Sequence, residues 1–558
     1  MDKLTALKEF FGHSFFRTGQ EGLIDALTQG RDVLGILPTG AGKSMCYQIP
    51  AILSDGITIV VSPLISLMKD QVTALNESGV AAAYINSSLT PRQCAEAMRR
   101  ARQGQYKLIY VAPERLCTNS FSDFALSAPI SFIAVDEAHC VSQWGQDFRP
   151  SYLEIASFFK LFRDCPPVGA YTATATPRVQ DDIAKLLNLR KPFVLSQGFD
   201  RPNLYFEVRS PKDKNDELLR ILEPRRGKSG IVYCATRKNV DSVCDLLRQN
   251  GYSSARYHAG LPDSERKAAQ EDFQYDRAHV MVATNAFGMG IDKSNVSFVI
   301  HYNMPKDLES YYQEAGRAGR DGEKADCILL YAKRDVMLAN WMIAQSERDQ
   351  TQFPQAQQGE HERLKQMTLF STTPLCLRAF ILRYFGETSP SKCGNCSSCM
   401  GPTLLPQRKP AKGPGKDTPD DLLFAALRLL RNQIAIYHKT PAYLIFSDAA
   451  LRDMADKQPL TEDTFLTVSG VGQEKRKRYA ESFTGLIREV LRAREAGEFS
   501  KAEDASLIAR RVFGFYRPWT DSEIVRLRAE KAQGMSLIAM AQAHERPQES
   551  ISEKLLSL

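Results

Sequence analysis

The sequence predicts an α/β protein built of two parallel-sheet lobes and followed by all-α modules. Between residues 30 and 335, short apolar runs bounded by Gly, Pro or polar turns alternate with helical stretches. Such alternation is typical of buried parallel strands with helices on both faces of the sheet. A break near Phe199–Asn203, followed by the polar stretch Ser210–Asp216, divides the strands between two lobes. Examples of the expected strands are Val33–Leu37, Ile57–Val61, Leu108–Val111, Phe132–Val135, Val168–Tyr171, Gly230–Tyr233, Val280–Ala283 and Phe298–His301.

Size and composition exclude several classes of protein. A chain of 558 residues is too long for a single small binding module. Its hydrophobic fraction of 43% and charged fraction of 25% exclude a mostly disordered or collagen-like chain. The 72 Lys and Arg slightly exceed the 65 Asp and Glu, which permits a polyanionic partner without requiring one. No apolar run has the length of a membrane span and Met1–Phe16 lacks a signal pattern, so we expect a cytoplasmic protein without membrane contact, nucleoid-associated if bacterial.

Four of the twelve cysteines form a pattern suited to a metal ion. Cys393, Cys396 and Cys399 make two overlapping C-x-x-C pairs, and Cys376 precedes them on an expected helix, Pro374–Phe385. The tight spacing lets backbone turns aim neighbouring thiolates at one tetrahedral zinc ion. A structural zinc site is therefore predicted, with free thiols or a redox pair as the alternative. The other eight cysteines lie singly, where reduced thiols are expected.

A glycine-rich loop, Leu37-Pro-Thr-Gly-Ala-Gly-Lys-Ser44, follows the first expected strand and precedes a helix. Gly40 and Gly42 let the backbone curl so that its N–H groups point at phosphates. Lys43 supplies a positive charge for the β and γ oxygens, and Ser44 offers a hydroxyl to Mg²⁺. The loop therefore predicts a nucleotide site. Its cofactor-binding set is Thr39, Gly40, Gly42, Lys43 and Ser44.

Two adjacent carboxylates end the strand Phe132–Val135. Asp136 is expected to hold Mg²⁺ and Glu137 to orient and polarise the attacking water. Adjacent acids alone are usually a solvated turn. Both acids, however, belong at the carboxyl edge of the sheet, where the glycine-rich loop also lies, and their position favours a catalytic interpretation.

In the second lobe, the run Gln313–Arg320 spaces two arginines three residues apart. We expect Arg317 and Arg320 to share one helical face and to reach a γ-phosphate across a cleft between the lobes. An ordinary salt-bridged helix is the alternative. A phosphate loop and an arginine finger on different lobes would make closure depend on ATP and opening on hydrolysis, as in a motor.

With these motifs, residues 1 to 400 resemble the RecQ-type DNA helicases of superfamily 2. The resemblance implies two RecA-like lobes, a small helical zinc-binding subdomain, ATP with Mg²⁺, one zinc site and 3′-to-5′ polarity. Further segments that carry it are Phe16–Gln20, Val60–Gln71, Ala112–Arg115, Thr172–Ala175, Ala286–Asp292 and Ser310–Arg320.

The segment Ser142–Pro150 resembles the aromatic-rich loop of the same family. Trp144 and Phe148 are suited to stacking on unpaired bases, and Arg149 to meeting a phosphate or a carboxylate. Aromatic side chains so close to a turn also serve as core anchors, which is the alternative.

The resemblance also assigns adenine recognition to residues near the N-terminus. A Gln amide can pair with both the ring nitrogen and the exocyclic amine of adenine, which gives this role to Gln20 together with Arg17. His13 stands where relatives often carry a stacking Tyr. Gln313 is expected at the nucleotide from the second lobe.

The C-terminal third departs from the family pattern, because a basic, proline-rich linker stands where relatives carry a winged-helix domain. Residues after it resemble the helicase-and-RNase-D C-terminal (HRDC) domain, whose basic run Lys475–Arg478 suits either DNA phosphates or solvent. The last residues suggest a helix-turn-helix capped by Thr520 and Glu523, or else a packing bundle. The apolar residues expected in its core are Ile524, Leu527, Ile538, Ile551 and Leu555. The expected domains are residues 1–200 and 201–335 for the lobes, 336–400 for the zinc-binding subdomain, 401–419 for the linker, 420–497 for the HRDC domain and 498–558 for the tail.

The sequence as a whole predicts an ATP-dependent DNA helicase that acts in recombination and repair. Its expected partners are single-stranded and duplex DNA and a single-strand-binding protein, with the chain itself a monomer. Because the winged helix is missing, a DNA-stimulated translocase that unwinds poorly is the first alternative. An RNA helicase and a non-hydrolysing, ATP-switched scaffold are the others.

Overall fold

The computed structural model describes residues 1–38, 40–63, 65–145, 147–196, 198–287, 293, 295–349, 354–400, 419–438, 440–497, 499 and 502–558. Thr39 and all but the last residue of the expected linker 401–419 lie outside these ranges. The chain forms two compact units, one of Met1–Leu7 with Phe15–Pro410 and one of Lys8–Ser14 with Ala411–Leu558. None of the described helices is long and apolar enough to cross a membrane.

The first lobe is a seven-stranded parallel sheet with the strand order β3-β4-β2-β5-β6-β1-β7. Its four central strands, β2, β5, β6 and β1, are short and nearly all apolar, since helices cover both faces. The strands are β1 (Val33–Ile36), β2 (Ile57–Val61), β3 (Ala82–Ile85), β4 (Leu108–Val111), β5 (Ile130–Val135), β6 (Val168–Thr172) and β7 (Phe193–Ser196). The helices up to this point are α1 (Lys3–Phe11), α2 (Gln20–Thr28), α3 (Met45–Leu53), α4 (Ile65–Glu77), α5 (Pro91–Arg102), α6 (Pro113–Leu116), α7 (Asn119–Ser127), α8 (Leu153–Phe159) and α9 (Pro177–Leu186), with 3₁₀ turns at Ala138–Val141 and Pro150–Tyr152.

The second lobe is a six-stranded parallel sheet with the strand order β10-β11-β9-β12-β13-β8. Together the two sheets contain every strand expected from the apolar runs, which confirms the predicted fold class. The strands are β8 (Leu204–Arg209), β9 (Gly230–Tyr233), β10 (Ser254–Tyr257), β11 (Val280–Ala283), β12 (Phe298–His301) and β13 (Ala325–Leu330). The helices are α10 (Lys214–Leu222), α11 (Arg237–Gln249), α12 (Asp263–Gln274) and α13 (Leu308–Ala315), with a 3₁₀ turn at Glu223–Arg225.

A helical subdomain follows the second lobe and packs on it. Its helices are α14 (Lys333–Asp349), α15 (Pro354–Thr372), α16 (Leu377–Tyr384) and α17 (Ser397–Met400). Arg378 of α16 donates hydrogen bonds to the carboxylate of Asp200 and to the carbonyl of Leu204. Phe385 stacks on Phe199 with ring centroids 4.3 Å apart. The subdomain is therefore anchored on the segment that joins the two lobes.

The second unit is all-α, as expected. Its long helix α18 packs against α20, α22 and α23 through Leu423, Leu427 and Leu430, which are fully buried at helical spacing. The helices are α18 (Pro419–His438), α19 (Ala442–Ile445), α20 (Asp448–Lys457), α21 (Glu462–Phe465), α22 (Gln473–Glu495), α23 (Ala502–Tyr516), α24 (Asp521–Ala532), α25 (Leu537–Ala543) and α26 (Gln548–Ser557).

The tail differs from its expected capping and core. The Thr520 hydroxyl caps α24 by accepting a hydrogen bond from Glu523 N at 3.2 Å, but the Glu523 carboxylate does not close a capping box. The carboxylate instead accepts hydrogen bonds from the buried guanidinium of Arg546. A charged donor that is shielded from water binds a carboxylate more strongly than the neutral backbone N–H of a capping box does. Leu527 and Ile551 are buried as expected, whereas Ile538 is exposed. Met540 takes its place in the core.

We predict that a buried ion pair stabilises the second lobe. The Lys214 ammonium donates to Asp335 Oδ2 and to the Tyr302 carbonyl, both at 2.7 Å, and the two charged side chains are 2% and 1% exposed. Lys214→Met would leave Asp335 charged and buried, so the free energy of unfolding should fall by about 3 kcal/mol. Scanning calorimetry of the full chain measures this change. Arg220→Ala, at an exposed position in the same helix, is the control, and equal shifts from the two variants would contradict the prediction.

Candidate nucleotide, zinc and nucleic-acid sites

The glycine-rich loop between β1 and α3 is shaped by its own backbone and by two side chains near α2. Gly40 and Gly42 have φ angles of 87° and 80°, in the left-handed region that favours glycine. A Cβ atom at Gly42 would lie 2.5 Å from Gln20 Nε2. Gln20 Nε2 donates to the carbonyls of Ala41 at 3.1 Å and Gly42 at 2.9 Å, and the Arg17 guanidinium donates to the Gly40 carbonyl. The two residues expected to read adenine thus also hold the loop.

The two carboxylates lie at the carboxyl edge of the first sheet, beside the loop. Lys43 Nζ is 3.0 Å from both Asp136 Oδ1 and Glu137 Oε1. Burial disfavours the ammonium, but the two carboxylates outweigh this effect and raise the pKa of Lys43. Burial raises the pKa of Asp136, whereas for Glu137 the charge of Lys43 outweighs burial and lowers the pKa. The strand order therefore places the three groups at one site, as predicted.

Glu137 has an unusual backbone conformation and one buried carboxylate oxygen without a hydrogen-bond donor among the described residues. Its φ and ψ of 48° and 46° are left-handed, a conformation that non-glycine residues adopt mainly where the surroundings impose it. Its Oε2 atom is buried and accepts no hydrogen bond from any described residue. His139 Nδ1 lies 3.4 Å from that oxygen and 2.8 Å from Thr172 Oγ1. Burial lowers the pKa of His139. Glu137 thus presents one carboxylate oxygen that can accept a proton or a water.

The second lobe reaches this site through Gln313 of α13 and through the residues that follow this helix. Gln313 Nε2 donates to Thr174 Oγ1 of the first lobe at 2.9 Å. Together with Lys43, the positive charge of Arg317 lowers the pKa of Glu137 against the effect of burial. Arg320 Cγ lies 3.9 Å from the Cβ position of Gly40. The expectation of one helical face was wrong, because α13 ends at Ala315 and both arginines lie in the turns after it.

Arg201 is a residue at this cleft that the sequence analysis missed. Its guanidinium donates to the carbonyls of Gly316, Ala318 and Gly319 at 2.8, 3.0 and 2.6 Å. One of its nitrogens lies 4.0 Å from the Cβ position of Gly40. Burial lowers the pKa of Arg201. The only sequence signal was its place in the break between the lobes, since a cation that binds backbone carbonyls follows no motif.

The aromatic loop is held by polar contacts on both sides. The Arg149 guanidinium donates to Asp147 Oδ2 at 3.0 Å and to the Pro63 carbonyl at 3.0 Å. The Arg178 guanidinium stacks on the Trp144 indole, with 3.1 Å between its central carbon and the ring centroid. Phe148 and Trp144 are half-buried. Arg149 thus pairs with a carboxylate here, and the loop lies directly after the 3₁₀ turn that Glu137 begins.

The four cysteines converge at the start of α16 and the end of the subdomain. Their sulfur atoms all lie within 4.8 Å of one another, with Cys393–Cys399 at 4.0 Å and Cys376–Cys396 at 3.9 Å. A tetrahedral ion with bonds of about 2.3 Å holds its sulfurs about 3.8 Å apart, so the cluster fits zinc. Cys376 caps α16 and does not lie within it, because the helix begins at Leu377 and not at Pro374. All twelve cysteines, each within the described ranges, are free of disulfides.

Three further predicted site residues are His13, Ser44 and Thr39. His13 is half-buried and belongs to the segment Lys8–Ser14 of the second unit. Ser44 begins α3, where its hydroxyl is close enough to Tyr47 to affect the tyrosine pKa. Thr39 is not among the described residues.

Models of known protein families match most of the chain, in the order in which its domains follow one another. Residues 17–183 match the DEAD/DEAH box helicase family and residues 213–322 the helicase conserved C-terminal domain. Residues 333–400 match the RecQ zinc-binding family and residues 420–487 the HRDC domain. Only residues 401–419 lie between the last two matches. This interval is shorter than the smallest typical domains, which have about 50 residues.

Individual relatives extend this similarity across most of the chain. The ATP-dependent DNA helicase RecQ of Bacillus subtilis is 38% identical, covering 86% of this chain and 97% of the relative. The protein of the same name from Haemophilus influenzae is 36% identical, covering 87% and 96%. The solved structure of S. cerevisiae Dbp5 bound to RNA and ADP BeF3 shares the two-lobe fold, with a TM-score of 0.51 at 17% identity over 70% of this chain and 92% of that one. The chain belongs to the RecQ family of ATP-dependent DNA helicases.

Proposed function

We propose that this protein hydrolyses ATP to move 3′ to 5′ along single-stranded DNA and thereby unwinds duplexes in recombination and repair. One observation carries the proposal. Lys43 and Glu137 of the first lobe and Arg317 of the second lobe meet at one cleft, with Gln313 bonded across it. A site assembled from two lobes couples nucleotide state to lobe position.

The glycine-rich loop would hold the phosphates of ATP. Backbone N–H groups from Thr39 to Ser44 would cradle them, and the Lys43 ammonium would turn from the carboxylates to the β and γ oxygens. The Ser44 hydroxyl and the Asp136 carboxylate supply hard oxygen ligands, which fit Mg²⁺. When bound, Mg²⁺ would neutralise charge that develops on the phosphates. Glu137 Oε2 would accept a hydrogen bond from the attacking water and take its proton.

The second lobe would complete the site on closure. Arg317 and Arg320 are planar, permanently charged forks that can stabilise charge on the γ-phosphate. Arg201 fixes the turn that carries them through three carbonyls. Hydrolysis would remove the group that both lobes contact, so the cleft would open once per ATP.

Adenine recognition is proposed for Arg17, Gln20 and His13. The Gln20 amide already donates to the loop carbonyls, and its oxygen accepts a hydrogen bond from Arg17 N at 2.8 Å. Base recognition at Gln20 would therefore be linked to the shape of the phosphate loop.

DNA contact is proposed at the aromatic loop, through Trp144, Phe148 and Arg149. Stacking on unpaired bases tolerates any sequence and suits a translocating enzyme. Single-stranded and duplex DNA would be the substrates and a single-strand-binding protein a partner. The protein would act as a monomer, in the cytoplasm and at the nucleoid if it is bacterial.

We predict that Glu137→Gln lowers DNA-stimulated ATP turnover by about 100-fold or more, because an amide cannot take a proton from water. Steady-state ATPase rates with single-stranded DNA measure the fall in turnover. The same rates with RNA of the same sequence show which nucleic acid is the substrate. DNA should stimulate the parent more strongly than RNA. The control is Glu154→Gln, an exposed carboxylate in α8 that should keep full activity. Unchanged turnover in Glu137→Gln would overturn the catalytic role of Glu137. Equal stimulation of the parent by RNA and DNA would overturn DNA as the substrate class.

We predict about one zinc ion per chain, held by the four cysteines. Cys396→Ser should lose the metal and lower the thermal midpoint of the subdomain, because binding energy at such sites is folding energy. Elemental analysis and scanning calorimetry measure the two effects. The matched control is Cys117→Ser, at an exposed single cysteine outside the cluster. A Cys396→Ser protein with full zinc content and an unchanged midpoint would contradict the assignment.

A further inference from the structure

Helix α15 of the zinc-binding subdomain contacts the aromatic loop of the first lobe at Trp144. Arg363 Nη1 donates to the Trp144 carbonyl at 2.9 Å. A Cβ atom at Gly359, one helical turn earlier on the same face, would lie 3.2 Å from Trp144 Cε3. One residue of α15 thus holds the loop backbone while another lies against the indole ring.

Gly359 has a specific reason to be glycine. A glycine within a helix is destabilising relative to alanine, so its presence needs a compensating contact. Its backbone does not have a positive φ, which removes conformation as the reason. A Cβ atom at Gly359 would lie 2.9 Å from Arg363 Nη1 and 3.2 Å from Trp144 Cε3, so glycine leaves room for the guanidinium and for the Trp144 indole. Helix α15 is therefore shaped to receive this side chain.

The indole is held from the first lobe as well. Arg178 of α9 stacks on it at 3.1 Å. Trp144 N donates to Ser142 Oγ at 3.2 Å, and Ser142 Oγ donates to Asp182 Oδ2 of α9 at 2.6 Å. The ring thus has contacts from α9 of one lobe and from α15 of the subdomain.

A short and stiff stretch of chain joins Trp144 to Glu137. The 3₁₀ turn Ala138–Val141 starts directly after Glu137, and Ser142 N donates to the His139 carbonyl at 3.1 Å. A Cβ atom at Gly145 would lie 2.5 Å from that same carbonyl, so the chain after Trp144 is packed against the turn. Displacement of Trp144 would therefore be transmitted to the residue that faces the attacking water.

Arg363 also connects the loop to the second lobe. Its charge acts on the buried carboxyl of Glu309 at the start of α13, and the Tyr384 hydroxyl donates to Glu309 Oε1 at 2.6 Å. Helix α13 is the element whose other end carries Gln313. The hydrogen bond of Arg363 thus holds the aromatic loop, and its charge acts at the start of the helix that faces the cleft.

We propose that Arg363 and Gly359 are positioning residues that dock Trp144 on α15, so that contact of single-stranded DNA with the loop changes ATP turnover. The inference rests on the proposed function. Neither residue belongs to the proposed nucleotide site. Their role is to give the indole one position, from which strand contact moves the 3₁₀ turn and Glu137.

The test compares ATPase rates of the full-length zinc-loaded protein across a titration with single-stranded DNA. The variants are Arg363→Ala, Arg363→Lys and Gly359→Leu, whose side chain would occupy the place of the indole. The matched control is Lys365→Ala, which removes an exposed cation from the same helix. Melting temperature and zinc content are measured on every protein.

Arg363→Ala and Gly359→Leu should lower DNA-stimulated turnover, or raise the half-stimulating DNA concentration, by about 5-fold or more, a typical lower limit for coupling between two sites. Turnover without DNA and zinc content should equal those of Lys365→Ala. Arg363→Lys should recover part of the loss, because a Lys ammonium can donate one hydrogen bond to the carbonyl.

Three results would overturn the proposal. Stimulation equal to that of Lys365→Ala would show that docking does not matter. A parallel fall of basal turnover, stimulated turnover and melting temperature would make the contact purely structural. A rise of turnover without DNA would make it a brake. If the parent itself shows no stimulation by DNA, the proposed function fails, and this outcome is distinct from the others.

Discussion

The Lys43 ammonium, held between Asp136 and Glu137, is the interaction on which the nucleotide site depends. Each of the three groups would be unfavourable alone, because burial disfavours isolated charges. Together they offset part of this cost at the edge where β1 and β5 end, since the ammonium lies 3.0 Å from both carboxylates. A parallel sheet brings these strand ends to one side, so the strand order itself creates the site. The arginines of the second lobe are useful only because this cluster faces them.

A polar contact joins the two lobes at the cleft. Gln313 with Thr174 is a hydrogen bond between a side-chain amide and a hydroxyl, which can break and reform at low cost. Arg201 instead binds three carbonyls within its own lobe. The second lobe therefore holds the turn with its arginines firmly, while the hydrogen bond at Gln313 can break, which suits a cleft that opens and closes.

The sequence predicted the parts of the structure that follow periodic burial or a short motif. The central strands were found because helices cover both faces and leave only apolar residues. β13, an inner strand between β12 and β8, was not named from the apolar runs. β3, β7 and β10 were not named either, and they lie at sheet edges, where β7 alternates half-buried and exposed residues. β8 is also an edge strand, with Glu207 and Arg209 in an ion pair. The four cysteines and the two carboxylates were predictable because their chemistry requires close spacing.

Other features depend on tertiary contacts that leave no local pattern. Arg317 and Arg320 were expected on a helix, but the glycines among them end α13 early, and Gly319 adopts a φ of 57°. Ile538 was expected in the tail core and is exposed, whereas Met540, which was not expected there, belongs to the buried cluster. Trp144 was weighed as a base-stacking residue or a core anchor. The structure gives it packing on two sides, and only its contacts with α15 indicate how both roles can be combined.

The measurement that tests the motor most directly is ATP-dependent strand separation, with duplexes that carry a 3′ tail compared with the same duplexes carrying a 5′ tail. The proposed function predicts unwinding of the 3′-tailed substrate only, abolished by Glu137→Gln. Strong ATPase stimulation without strand separation on either substrate would contradict it and leave a translocase that needs a partner to open DNA.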